Sequence, residues 1–510
     1  MGIDLFEPYR DLRRYALRHP SRPALIDERT EITLTYAELV SVIERLGALF
    51  NNKNIQRERP LLSLLPNSIE ALAVFLATTC YGKAFAPLPT DATAAEIRKV
   101  HDLVRPQVCI VSTAHSVSTI DLIRELGIEV IEVDLDVGFG WLPQEGFLLT
   151  EQPEAGRLLL PTSGSTGEPK AVVFDTNRLW SSGAAFISQH DFVDESSRFY
   201  NLLPMSYLGG LFNLGIIPLV AGGSVVIGEP FSGKTFLTFW QTVSRFEINV
   251  IWLVPAILRG LLSVAERVNR RKAVDPVNVR AAFLGTAPID IASKQAFEQK
   301  FGIPVLENYA LSETTFISTE TMATRQSRAE GTTGSIIPGI KLEFVHVSED
   351  EREQGSAPTE IYVKTPFMAL GYLNRDGSIV LPTNADGLLP TGDLGEIKDE
   401  LLVINGRIRD IIKKGGLFVG LREIELIAER HPGVAEAVAV KRKHDFYGET
   451  YVLALKLKAD KSPEIVADVQ QWLHQQVAKY KWPESIFTVD EFPRTKSGKI
   501  QKHLIPASAK

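Results

Sequence analysis

Between residue 36 and about residue 310 the chain alternates short apolar runs with stretches of helical period. The runs include Leu61–Leu65, Val225–Ile227, Val250–Val254 and Ala281–Leu284; the helical stretches include Ser68–Thr78 and Ile291–Lys300. Runs this short and this uniformly apolar read as strands covered on both faces, as in a parallel sheet whose crossover helices pack on either side. The alternation therefore predicts a layered α/β architecture with buried, largely parallel strands. One helix start is spelled out. Thr35-Tyr36-Ala37-Glu38 is a capping box, Leu34 and Leu39 stand where a hydrophobic staple would close, and Leu39, Ile43 and Leu46 continue one face. That helix should begin at Tyr36.

At 510 residues the chain exceeds what one core supports, since cores stop growing near about 250–300 residues, and at least two domains are expected. After Gly331 the pattern changes to short alternating strands, Ile340–Val347, Glu360–Lys364, Gly395–Ile397 and Leu401–Ile404, which predicts a β-rich subdomain over about 331–405. From Arg409 onward the order is helix Glu423–Arg430, strands Ala437–Val440 and Tyr451–Leu457, helix Pro463–Lys479 and strand Ser485–Val489. The expected division is a large N-terminal domain, residues 1–408, of layered α/β subdomains plus the β-rich one, and a small mobile α+β C-terminal domain, residues 409–510.

Composition narrows the function classes. With 45% hydrophobic and 23% charged residues the chain reads as globular, and a net charge of −7 lacks the basic excess of a nucleic-acid binder. Cys80 and Cys109 are too few for a disulfide framework and lack zinc-site spacing, which points to a reduced, cytoplasmic compartment. The stretch Met1–Leu17 has no secretory apolar core. The longest apolar region, Leu211–Ala221, is interrupted by Asn213 and Pro218 and is too short to span a bilayer, so it reads as buried core and no membrane span is expected.

The densest chemical signal follows Leu158-Leu159-Leu160-Pro161. It is the run Thr162-Ser163-Gly164-Ser165-Thr166-Gly167-Glu168-Pro169-Lys170, which leads into the apolar segment Ala171–Phe174. A strand enters a loop dense in hydroxyls and a strand leaves it. Gly164 and Gly167 let backbone N–H groups approach a polyphosphate, the hydroxyls of Thr162, Ser163, Ser165 and Thr166 add donors, and Lys170 adds charge. A P-loop would need its lysine directly after the second glycine and a helix behind it. Here Lys170 lies three residues beyond Gly167 and precedes a strand, so the Walker reading fails.

This loop resembles the T-S-G-[ST]-T-G-x-P-K signature of the adenylate-forming superfamily, which includes acyl-CoA synthetases, peptide-synthetase adenylation domains and beetle luciferases. Further segments resemble that family's motifs in the same order. In Glu307-Asn308-Tyr309-Ala310-Leu311-Ser312-Glu313, the resemblance assigns Tyr309 to adenine stacking, Ser312 to phosphate and Glu313 to magnesium. In Pro390-Thr391-Gly392-Asp393, Asp393 would accept both ribose hydroxyls, a role that suits an acceptor-only carboxylate. In Gly406-Arg407-Ile408-Arg409-Asp410, Arg407 would contact the nucleotide and Arg409 stands at the hinge position, where relatives usually carry Asp or Lys. Gly415 and Gly416 fall in the segment that shapes the thiol side, with Leu421 in place of its usual proline, and Lys499 stands in Pro493–Ile500 as the adenylation lysine. Ala369–Leu373 matches a further landmark.

The acid-binding residues implied by the same resemblance are Tyr207 and Gly209 in Pro204–Leu211, Gly285 and Thr286 in Gly285-Thr286-Ala287-Pro288, and Ala310. Tyr207 stands where many members have His, and for it core packing at a glycine-rich turn is a competing reading. The resemblance implies an AMP-forming carboxylic acid–thiol ligase using ATP and Mg²⁺, with Lys170, Glu313 and Lys499 as its catalytic residues. The thiol would be CoA, or alternatively the phosphopantetheine of a separate carrier protein. A non-catalytic ATP-binding regulatory protein is a third reading, disfavoured by the retention of Glu313, Asp393 and Lys499 together.

Overall fold

The computed structural model describes residues 6–149, 153–163, 169–267, 278–347, 358–414, 417–458, 465–494 and 500–506. Among these, strands form a nine-stranded and an eight-stranded sheet in the first 400 residues. The first runs Ser335–Ile336, Thr315–Thr319, Val305–Leu311, Ala281–Leu284, Val250–Leu253, Arg198–Asn201, Ser224–Ile227, Pro23–Asp27, Thr33–Thr35. Its interior pairs are parallel and its outer ones antiparallel. The second runs Ile379–Val380, Gly371–Leu373, Pro169–Asp175, Arg157–Ser163, Ala84–Pro87, Leu61–Leu64, Val108–Ser112, Glu129–Val133. It is parallel from Arg157–Ser163 onward. Every residue of Leu61–Leu64, Val250–Leu253 and Ala281–Leu284 is buried, as strands enclosed on both faces must be.

Between the sheets lies the helix Ile69–Cys80, whose twelve residues are all buried. A helix apolar all round belongs inside a core, and this one starts on the Ser68 hydroxyl, which accepts the Ala71 N–H. One apolar cluster joins Leu25 and Phe199 of the first sheet to Leu61 and Phe85 of the second. The helix Tyr36–Asn52 begins at the residue expected, with both hydrogen bonds of the capping box formed between Thr35 and Glu38. The apolar stretch after Gly209 is buried as expected, but it opens as a π-helix, Gly209–Ile216. There Gly210 is required, because a Cβ would lie 2.5 Å from the Pro204 carbonyl oxygen.

A four-stranded antiparallel sheet, Lys341–His346, Thr359–Lys364, Leu389–Lys398 and Leu401–Arg407, occupies the β-rich stretch. Other strands of that stretch leave it. Gly371–Leu373 pairs with Pro169–Asp175 of the eight-stranded sheet, and Ser335–Ile336 pairs with Thr315–Thr319 of the nine-stranded one. Backbone pairing across large sequence separations decides this, and the local pattern carries no sign of it. Beyond Arg407 a five-stranded sheet, with helices Leu421–Glu429 and Ile465–Gln476, forms its own apolar clusters from residues 412–505.

His190 illustrates how dry the large core is. It is 2% exposed, its ring centroid lies 4.7 Å from that of Phe186 and 4.8 Å from that of Phe283, and its Nε2 is 3.2 Å from the Thr319 hydroxyl. Burial pushes the imidazole pKa down to about 3. Because the unfolded value is near about 6.5, the unfolded chain binds this proton first as pH falls. The contribution is complete above that pH and is lost on acidification toward the folded value. In His190→Gln the slope of unfolding free energy between pH 6 and pH 4 should be smaller by roughly one proton, about 1.4 kcal/mol per pH unit, in urea titrations. An unchanged slope would mean that His190 is protonated in the folded protein.

Candidate active site

The strand Arg157–Ser163 and the strand Pro169–Asp175 are antiparallel partners, with Thr162 opposite Lys170 and Ser163 opposite Pro169. Thr162 and Ser163, the first two residues of the hydroxyl-rich segment, end the first of these strands. Gly164, Ser165, Thr166 and Gly167 lie outside the described residues, as do Gly415, Gly416 and Lys499. Lys170 is exposed, with Nζ 5.7 Å from the Tyr372 ring centroid. The Tyr372 hydroxyl donates to Glu313 Oε1. Burial first, and the Glu313 carboxylate second, push the Tyr372 phenol pKa up, so it remains a donor. The strand Gly371–Leu373 thereby brings Lys170 and Glu313, far apart in sequence, onto one tyrosine.

Glu313 is presented by the tight connection between the antiparallel strands Val305–Leu311 and Thr315–Thr319, in which Ser312 is exposed. That connection closes on Thr315, a β-branched residue at φ 60, where a side chain is disfavoured. The Thr315 hydroxyl lies 2.6 Å from the Ser182 hydroxyl and donates to the Thr314 carbonyl at 2.5 Å. The Ala369 N–H donates to the Glu313 carbonyl at 2.8 Å. The carboxylate is therefore aimed by bonds from two other segments.

A second cluster unites three more expected residues. The Tyr309 hydroxyl donates to Asp393 Oδ2 at 2.7 Å, and Arg407 Nε lies 2.7 Å from Asp393 Oδ1. Asp393 and Arg407 are directly opposite one another across the antiparallel pair Leu389–Lys398 and Leu401–Arg407. Burial, then the neighbouring Asp393 charge, pushes the Tyr309 phenol well above its usual range. Each carboxylate oxygen keeps a further lone pair for a diol.

The residues expected on the acid side sit toward the carboxyl ends of strands of the nine-stranded sheet, the edge where α/β sheets bind ligands. Gly285 and Thr286 follow Ala281–Leu284, Ala310 is the last but one residue of Val305–Leu311, and Tyr207 and Gly209 follow Arg198–Asn201. Gly285 must lack a side chain, since a Cβ would lie 2.6 Å from Asn308 Oδ1. Thr286 is held at φ 75 with its hydroxyl donating to the Gly285 carbonyl. Tyr207 is exposed, so it is not a core residue here. Its segment is anchored by Asn67, which accepts the Met205 N–H at 2.9 Å and donates to the Leu203 carbonyl at 3.0 Å.

Sequence reasoning missed the support beneath Tyr309. Lys294, 1% exposed, donates to Glu307 Oε2 at 2.6 Å and to Glu320 Oε1 at 3.3 Å, and Arg328 lies 3.3 Å from Glu320. Burial opposes the Lys294 charge, but the two carboxylates win and hold its pKa above the ordinary lysine value. The network locks the strand two residues before Tyr309. Its only sequence trace is a lysine sharing the inward face of Ile291–Phe301 with Phe297.

The sequence matches AMP-binding enzymes over residues 12–373 and the AMP-binding enzyme C-terminal domain over residues 423–499. The chain belongs to the AMP-binding enzyme family. It is 27% identical to a sulfoacetate–CoA ligase of Cupriavidus necator, covering 96% of this chain and 95% of that one. It is 28% identical to an indoleacetate–CoA ligase of Aromatoleum aromaticum, with the same coverage, 96% and 95%. The fold matches ATP-bound MatB from Rhodopseudomonas palustris with a TM-score of 0.84 at 23% identity, over 99% of this chain and 98% of that one. Family membership fixes the frame for Tyr372: a hydroxyl that orients a candidate metal-binding carboxylate usually affects metal affinity by about 10–100-fold. In Tyr372→Phe the Mg²⁺ concentration giving half-maximal pyrophosphate exchange, and the Mg²⁺-dependent rise in ATP affinity by calorimetry, should both shift by about tenfold. Wild-type Mg²⁺ dependence in both would remove this role.

Proposed function

We propose that this protein converts a simple carboxylic acid, one without an α-ammonium group, to its CoA thioester, with the side chains named above in the roles that follow. The activity class comes with the family: the chain is an AMP-forming acid–thiol ligase that uses ATP. A carboxylate oxygen attacks the α-phosphorus and pyrophosphate leaves. The thiol then attacks the acyl carbonyl, AMP leaves and the thiol proton is released. The observation that carries the residue-level reading is the convergence of Tyr309, Asp393 and Arg407 in one cluster and of Lys170, Tyr372 and Glu313 in another.

In this reading Tyr309 offers its ring to adenine, Asp393 accepts the ribose hydroxyls and Arg407 holds Asp393 while facing the nucleotide. The Thr162–Gly167 loop and Lys170 take the phosphates, and Ser312 adds a donor to them. Charge that builds on the transferring phosphoryl oxygens is met by Lys170 and Lys499. Glu313 suits Mg²⁺, which takes one or two carboxylates and otherwise keeps water and phosphate oxygens; when bound it would neutralise phosphate charge. Among the described residues no group of three or more His, Cys, Asp or Glu could cage a metal, which agrees with a site completed by the nucleotide.

Tyr207, Gly209, Gly285, Thr286 and Ala310 line the acid side, Gly415 and Gly416 the thiol side, and Arg409 is the hinge, seated in the short 3-10 turn Ile408–Asp410. Leu208 follows Tyr207 where amino-acid-activating members of the superfamily generally carry an Asp, so an ammonium there would lack that carboxylate partner. The acids named for the two relatives, sulfoacetate and indoleacetate, also lack that group. CoA as acceptor is supported by those relatives. A cytoplasmic setting is supported by two buried, unpaired cysteines. No helix among the described residues is long and apolar enough to cross a membrane.

Pyrophosphate exchange screened over aryl, short-chain, medium-chain and amino acids should give turnover only with acids lacking the ammonium. Efficient exchange with an ordinary α-amino acid, and none with simple acids, would overturn the substrate class. Supplying the active acid's adenylate with CoA, or with a phosphopantetheinylated carrier protein, then identifies the thiol.

Lys499→Ala separates the half-reactions. Removing one positioned charge from the transition state should lower exchange by about 10²–10³. Thioester formation from the supplied adenylate should stay near wild type. Equal loss of both, or of neither, would refute the role given to Lys499.

A further inference from the structure

Pro218 stands inside the helical run that begins at Gly209, where Ile217–Val220 continues the π-helix Gly209–Ile216 as a single α-turn. A proline has no N–H, so the Leu214 carbonyl, four residues earlier, loses the donor that an α-helix would give it. The turn before it is wide: the Ile217 N–H donates to the Phe212 carbonyl, five residues back. The Leu214 carbonyl is met from outside the helix. Asn201, wholly buried at the end of Arg198–Asn201, donates from Nδ2 to it at 3.4 Å and to the Gly210 carbonyl at 2.9 Å. One side-chain amide thus spans the wide turn and pairs two of its carbonyls.

This turn is coupled to the segment before it. Gly210 packs so closely that a Cβ would lie 2.6 Å from the Leu203 carbonyl oxygen and 2.5 Å from that of Pro204. A change of register that rotated Gly210 would therefore displace Leu203 and Pro204, because a close-packed interior passes such a shift on. Tyr207 lies between the two: its N–H donates to the Pro204 carbonyl at 3.1 Å, and its carbonyl accepts the Leu211 N–H at 3.3 Å. On the other flank Asn67, which holds Leu203 and Met205, also donates to the Gly228 carbonyl at 3.2 Å. The Asp393 cluster is held through different strands, Val305–Leu311, Leu389–Lys398 and Leu401–Arg407.

We propose that Asn201 is a positioning residue for the acid substrate: by holding the wide turn that Pro218 imposes, it fixes the place of Tyr207 and Gly209 and so the geometry in which the acid binds. This rests on the acid-side reading of Tyr207 and Gly209 given above. Asn201 acts through that segment and touches no reacting atom. Its loss should register in acid binding and leave nucleotide binding alone. Misplacing a group by about an ångström can cost roughly a hundredfold where it reacts, and a shift confined to the pocket wall should cost acid affinity about tenfold.

The test compares Asn201→Leu, Pro218→Ala and the double variant in the full-length protein, by pyrophosphate exchange with the most active acid from the aryl, short-chain and medium-chain screen. Asn201→Leu keeps the outline of the side chain and removes both donors. It should raise the KM for that acid about tenfold, with the KM for ATP and the rate at saturating acid within about twofold of wild type. Pro218→Ala returns an N–H to position 218 and lets Leu214 pair within an α-turn, which releases the wide register. It should give the same split without lowering the unfolding midpoint, since alanine suits a helix better than proline. The double variant should lose little more acid affinity than the worse single one, because both changes act on one turn. Phe50→Leu, a core change in Tyr36–Asn52, should lower the midpoint and leave both KM values unchanged, which separates positioning from loss of stability. Equal rises in the two KM values, an unchanged acid KM in either single variant, or fully additive losses would overturn the proposal.

Hydrogen exchange followed by mass spectrometry reads the turn without any acid. Amides of residues 203–217 should exchange faster in Asn201→Leu, while those of Val305–Leu311 keep the wild-type rate. Unchanged exchange over 203–217 overturns the proposal even where the acid KM rises. Tyr207→Ala separates the proposal from the reading beneath it. If Tyr207→Ala raises the acid KM and Asn201→Leu does not, the positioning role alone fails. If Tyr207→Ala and Gly209→Ala both leave the acid KM unchanged, or the wild type turns over none of the acids, the acid-side reading fails and the proposal falls with it.

Discussion

A carboxylate that is taken out of water has to be paired, and Asp393, only 2% exposed, is paired twice. Tyr309 reaches it from the nine-stranded sheet and Arg407 from the strand beside it. Removing one partner of such a buried charge typically costs about 3–5 kcal/mol, so the two bonds constrain three places at once. They hold the end of Val305–Leu311 against the four-stranded sheet. They also fix the backbone at Arg407, one residue before the 3-10 turn that leads into the small unit. The end of the Tyr309 strand, the four-stranded sheet and the backbone at Arg407 are thus positioned by the same carboxylate.

The two strained threonines make sense against that frame. Thr286 and Thr315 both carry β-branched side chains at positive φ, at 75 and 60, where glycine would be easier. Thr286 is itself a candidate site residue and Thr315 lies two residues after Glu313, and each has its hydroxyl bonded to a neighbouring carbonyl. Such conformations persist where surrounding structure over-determines them, and they cluster at sites where geometry matters more than local stability. At Thr315 the over-determination is visible as the Ser182 contact; at Thr286 it is the packing of Asn308 over Gly285.

Local features of the fold were legible in the sequence. Periodicity gave the strand Ala281–Leu284 to the residue, and the capping box gave the start of Tyr36–Asn52. The strands on either side of the hydroxyl-rich loop were legible because apolar runs flank it, whereas their antiparallel pairing was not. Leu421, where relatives usually have proline, is 1% exposed at the first turn of Leu421–Glu429 and packs in the small unit's core, so the substitution has a packing reason. Less legible were features made by partners distant in sequence. Val434–His444 runs well beyond the apolar Ala437–Val440 because its polar end, Lys441–His444, is held by backbone pairing to Gly448–Leu457. Tyr372 was legible as a landmark, but its bond to Glu313 depends on two strands from different sheets meeting. The Lys294 network joins a helix, the strand that carries Glu307 and the loop residues Glu320 and Arg328, and no periodicity encodes it.

The apolar and polar contacts divide the labour between the two units. Each unit buries its own hydrophobic clusters, so neither needs the other to exclude water. Inter-domain contacts made of ion pairs are weak and exchangeable compared with an apolar seam, because the charges regain water when they part. In an acid–thiol ligase of this family a carboxylate oxygen first attacks phosphorus and a thiol then attacks the acyl carbon, so different groups have to reach one acyl centre in turn. A greasy seam would lock a single arrangement. A charged contact, such as Arg259 at 3.7 Å from Glu436, can part and re-form without exposing an apolar face to water.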